Sequence, residues 1–158
     1  MSVKDVVFAL VVFLHDLFTV MWIGGLFTLT LSVLPSAKAV LGTGPQTQTL
    51  MQAIQNRLSR LVYVSIVGLI VTGLLQANRS DAFAGLFSAG NDYSLVLTLK
   101  HLLVITMVII ALIRSLGLKR WKLAPQAKAK LNARLLMANL VLGIGVLLLS
   151  GFSTALAS

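Results

Sequence analysis

Two histidines, His15 and His101, are the residues of this chain best suited to chemistry, and both stand inside long apolar runs. His15 and Asp16 interrupt a predominantly apolar stretch from Val6 to Leu34, and His101 follows Lys100 in the run from Ser94 to Ile113. An ionisable group in a bilayer is expensive, so it normally faces other helices and marks a functional site. Imidazole nitrogens there suit metal ligation: the two axial positions of a haem iron, or copper assisted by the thioethers of Met21 and Met107. The chain has no cysteine, which excludes disulfides, thiolate metal sites and thiol redox chemistry. It also has no glutamate, no nucleophile–base pair and no glycine-rich phosphate loop, so hydrolase and phosphotransferase readings have no residues to rest on.

The elements that hold these histidines are membrane spans. With 58% hydrophobic and 11% charged residues over 158 positions, the chain reads as an integral membrane protein forming one domain over residues 1–158. Hydropathy marks four spans at about 6–34, 58–77, 94–115 and 134–156, each near the roughly 20 residues a bilayer requires. The fold class expected is therefore all-α, a four-helix transmembrane bundle. The first span is too long for a signal-peptide core and is read as a retained helix.

Charge orients the bundle. The two connections on one side carry Lys38, Arg57, Arg60, Arg114, Lys119, Arg120, Lys122, Lys128, Lys130 and Arg134, against Lys4 and Arg79 on the other. That asymmetry predicts both termini outside the cytoplasm, in a multi-pass protein of the inner (cytoplasmic) membrane. The formal charge of +9 is explained by topology and anionic lipid, so nucleic acid is not an expected partner. Pro45 and Pro125 each stand where a helix can begin, so helices two and four are expected to extend into the cytoplasm from these prolines. The result is two hairpins, each with a histidine in its first helix, a weak parallel repeat of the kind that puts a site between halves. The outer connection from Arg79 to Tyr93, with Phe83, Leu86 and Phe87, reads as a loop packed on the bundle at headgroup level.

His15 lies roughly 14 Å, and His101 roughly 10 Å, below the outer ends of their spans at 1.5 Å per residue. At a shared depth on helices one and three, diagonal partners in a bundle, they fit bis-histidine ligation of haem b. Gly68 and Gly73 in span two, with Gly143, Gly145 and Gly151 in span four, offer room for a macrocycle, although glycine also serves plain helix packing. Lys100 or Arg79 could meet propionates, Asp16 could orient an imidazole, and Trp22 could stack on a ligand. In a purely structural reading, Asp16 and Lys100 form an ion pair and each histidine bonds a neighbouring helix. Asn139, Thr19 and Ser65 are expected to be satisfied by interhelical hydrogen bonds, and Trp121 to anchor the cytoplasmic interface. Copper is the alternative ligand. Its weakness is spacing: six residues from each histidine to Met21 or Met107 turns about 240° around a helix.

The string His15-Asp16-Leu17-Phe18-Thr19-Val20-Met21-Trp22-Ile23-Gly24-Gly25, with Val33-Leu34-Pro35 after it, resembles the first helix of CopD-like membrane proteins. Leu99-Lys100-His101-Leu102-Leu103 is similar to the lysine-bearing helix of that family and of the HemJ-type protoporphyrinogen oxidases. The CopD resemblance implies copper handling across the inner membrane. The HemJ resemblance implies haem b with a first-helix histidine and a third-helix lysine, positions that correspond to His15 and Lys100. The chain departs from HemJ by placing His101 after the lysine and lacking a second histidine near the cytoplasmic end of helix one, which favours a second axial ligand over oxidase activity. The expectation is a membrane haem b protein passing electrons or serving a redox step, with a haem-dependent oxidoreductase as its enzymatic form. The alternatives are a CopD-like copper transport or resistance protein, a HemJ-like oxidase, and a subunit of a larger membrane complex. Membrane lipid, a redox partner and a homo-oligomer are the partners considered.

Overall fold

The structure, a computed structural model, describes residues 2–77 and 92–156. Arg79 and the outer connection with Phe83, Leu86 and Phe87 lie outside the described residues. The described chain is helical, with four helices long and apolar enough to cross a membrane: α1 (Val3–Leu41), α2 (Pro45–Ala77), α3 (Asp92–Gly117) and α4 (Pro125–Leu156). They fall into two compact units, Met1–Gly73 and Leu74–Ser158.

Helix α1 starts at a capping box. The Asp5 backbone N–H donates to Ser2 Oγ (3.3 Å), and the Ser2 backbone N–H donates to Asp5 Oδ2 (2.9 Å), so two otherwise orphaned donors are satisfied. The helix is not uniform. Wider π-helical turns occupy Val20–Gly24 and Thr28–Val33. The second precedes Pro35, whose ring lacks an N–H and crowds the carbonyl one turn back. A widened turn absorbs that conflict, and α1 continues through the proline to Leu41, beyond the span end expected near residue 34. It stops at Gly42, whose φ of +70° only glycine adopts without strain.

The turn into α2 is tied by Thr47, whose hydroxyl donates to the Gly42 carbonyl (2.7 Å). Pro45 then opens α2, where a missing N–H breaks no helical bond. In the second unit, α3 ends in a third π-helical stretch, Ile113–Gly117, followed by the short turn Leu118–Arg120 and an extended Trp121. Pro125 opens α4.

Apolar side chains divide by face. Trp22, Ile23, Leu26 and Leu29 of α1, with Met51 and Val62 of α2, are buried in the first unit. Met107 and Ala111 of α3, with Leu136, Leu140 and Val146 of α4, are buried in the second. Large side chains such as Phe13, Val20, Val67, Ile109, Val141 and Leu148 stand outward and exposed. An apolar exterior over four long helices is the surface a bilayer covers.

Candidate functional site

In the first unit the site is built on His15. Its Nδ1 lies 2.9 Å from Thr72 Oγ1 on α2. Thr72 has one hydroxyl proton and gives it to the Gly68 carbonyl (2.6 Å). The hydroxyl therefore accepts from the imidazole, which places a proton on Nδ1. Below the imidazole, Thr19 Oγ1 donates to the His15 carbonyl (2.9 Å).

Glycines let the two helices come this close. A Cβ at Gly73 would lie 3.5 Å from His15 Cε1, and one at Gly68 would run into the Phe18 ring. The space expected at Gly68 and Gly73 for a macrocycle is thus taken by Phe18 and His15 themselves. Two turns further along Trp22 and Ser65 are buried, as is Thr30 about four turns beyond His15, and Trp22 Nε1, Ser65 Oγ and Thr30 Oγ1 have no hydrogen-bond partner among the described residues. Trp22 stands within the first π-helical stretch, a distortion frequent at functional sites.

Asp16 does not share this pocket. One residue turns a helix by about 100°, and Asp16 is exposed on the face of α1 that carries exposed Phe13, Leu17 and Val20.

In the second unit His101 is half-buried, and its Nδ1 lies 2.7 Å from the Leu97 carbonyl one turn earlier. A carbonyl can only accept, so here too Nδ1 carries a proton. Lys100 beside it is half-buried. The antiparallel register of α3 and α4 is set by two contacts. Arg114 Nε donates to Asn132 Oδ1 (3.0 Å), and Leu103 Cδ1 lies 3.1 Å from the Cβ position at Gly145. Between these rungs the register places Met107 level with Asn139, and both are almost fully buried. Neither side-chain polar atom of Asn139 has a hydrogen-bond partner among the described residues.

The expected interhelical satisfaction of Thr19, Ser65 and Asn139 is therefore corrected. Thr19 bonds its own helix, and the other two have no partner among the described residues. Sequence reasoning missed Thr72, for which the available signal was the i−4 pair Gly68 and Thr72 in an apolar helix. Each histidine is held by its Nδ1–H in the manner of metal-binding imidazoles, whose second nitrogen is oriented by a hydroxyl or carbonyl. No group of three or more His, Cys, Asp or Glu side chains that could hold a metal ion occurs among the described residues.

A family model described as "Copper resistance protein D" (CopD) matches residues 52–153. The match takes in Thr72, Lys100, His101, Met107 and Asn139, and begins after His15, Asp16 and Trp22. Comparisons with curated proteins and with solved structures each returned no match. With well over half its length covered, this four-helix membrane chain belongs to the CopD family.

Proposed function

We propose that the protein handles copper within the cytoplasmic membrane as cargo, with His15 in the first unit and His101 in the second each serving as an imidazole ligand within its own unit. The observation that supports this most directly is the matched state of the two imidazoles. Each donates its Nδ1 proton to a protein oxygen from within an apolar span, the kind of contact that orients metal-ligating imidazoles. Membership of the CopD family supplies the metal. Imidazole and thioether donors without thiolate suit copper, and Met21 and Met107 are the thioethers carried on the same helices. The positive-inside asymmetry supports an orientation with both termini outside the cytoplasm.

A bis-histidine haem b protein is the other use for these imidazoles. It asks for macrocycle space beside helix α2, and there the Phe18 ring and the His15 imidazole fill the glycine clefts. A single ion needs no such space, which favours copper.

The test is copper accumulation in cells expressing the protein at matched levels. The intact chain is expected to change cellular copper under copper challenge, and His15→Ala and His101→Ala are each expected to abolish the change. An unchanged copper response in both variants contradicts the reading.

A further inference from the structure

The chain has four acidic residues, Asp5, Asp16, Asp81 and Asp92, and none from residue 93 onward. In the second unit the single acid among the described residues is Asp92, at the start of α3. Arg114 lies 22 residues further along the same run, roughly 33 Å at 1.5 Å per residue. Its guanidinium is half-buried and is held through Nε by the neutral Asn132. A charge withdrawn from water needs an opposite charge, and among the described residues of this unit no acidic side chain lies near this end.

Cations gather here instead. Lys128 stands one turn before Asn132 on α4 and is half-buried, and Arg120 and Lys122 are exposed on the connection. Trp121 lies against the same helix end. Its backbone N–H donates to the Gly117 carbonyl (3.1 Å), and its ring edge is 3.9 Å from the Cβ position at Gly117, three residues after Arg114. The indole is 48% exposed, and Leu116, next to Gly117 in the chain, is 54% exposed.

We propose that Arg114 and Lys128 bind the phosphate of an anionic phospholipid, with Trp121 and Leu116 against the start of its acyl chains. The guanidinium fork and the ammonium provide the anion site, and the lipid phosphate is the countercharge the unit lacks. An exposed indole and leucine next to the cations select a lipid over free phosphate, which gains nothing from apolar surface. Both flanking helices are long enough to span a membrane, so the cations end up at headgroup level. The site is independent of copper.

The experiment is native mass spectrometry of the delipidated full-length protein, titrated with phosphatidylglycerol and with phosphatidylcholine of the same chains. Phosphatidylglycerol is expected to bind in preference, with Arg114→Gln and Lys128→Gln each weakening it about fivefold. Lys128 is only partly covered, so Lys128→Gln decides the matter should Arg114→Gln fail to fold. Equal binding of the two lipids, or phosphatidylglycerol affinity within about twofold of wild type in Lys128→Gln, overturns the proposal. Displacement of the lipid by inorganic phosphate overturns the lipid assignment as well.

Discussion

The Thr72 hydroxyl accepts from His15 Nδ1 while donating to the Gly68 carbonyl, so one side chain on α2 holds a proton on Nδ1 of the α1 imidazole. Adjacent residues on α2 give the imidazole its place, since Gly73 leaves room for its edge. The orientation of the His15 imidazole is therefore a property of the helix pair and not of the histidine alone.

Thr72→Val keeps the shape and removes the acceptor. The variant is expected to lose copper affinity about ten- to a hundredfold, the usual effect of removing an outer partner of a metal-binding histidine. Thr72→Ser, which restores a hydroxyl, is expected to recover most of it. Competition with a chromophoric copper chelator reads both, and equal affinity in Thr72→Val and wild type counts against the assigned role.

Gly68 tests the closeness of the two helices. Alanine there gains up to about 1 kcal/mol in helix propensity, but its methyl meets the Phe18 ring, and overpacking costs about 1–3 kcal/mol. The second effect wins, so Gly68→Ala is expected to lower the unfolding temperature in detergent. Adding Phe18→Leu is expected to recover part of the loss. A Gly68→Ala protein as stable as wild type shows that the helices do not approach as described.

Asn139 is expected to respond in the opposite direction. A buried amide with no partner among the described residues loses its hydration for nothing in return, a penalty of about 1–3 kcal/mol. Asn139→Leu, of similar size, should therefore raise thermal stability. A fall in stability means that the amide is satisfied by a bound molecule or ion at the level of Met107.

Much of the fold was legible in the sequence because the bilayer imposes one rule. Apolar runs of sufficient length become helices, and Pro45 and Pro125 mark where two of them start, whereas the end of α1 at Leu41 lies beyond the expected residue 34. The π-helical turns were not legible. Pro35 hints at the second, but the stretch Val20–Gly24 has no proline beside it to announce it. The candidate site was half legible. An imidazole in an apolar run is conspicuous, whereas its partner Thr72 looks like any threonine bonding its own helix, which it also does. Asp16 shows the limit of adjacency: next to His15 in sequence, it stands on an exposed face a quarter-turn or more away. Gly68 and Gly73 look like open space in a sequence and are filled by Phe18 and His15 in the structure.

The most direct measurement is a metal analysis and absorption spectrum of the detergent-purified protein from cells replete in both copper and haem. The account predicts bound copper, no Soret band, and loss of the copper when His15→Ala and His101→Ala are combined. A Soret band with sharp α and β bands after dithionite, lost in the same double variant and unaccompanied by copper, contradicts it.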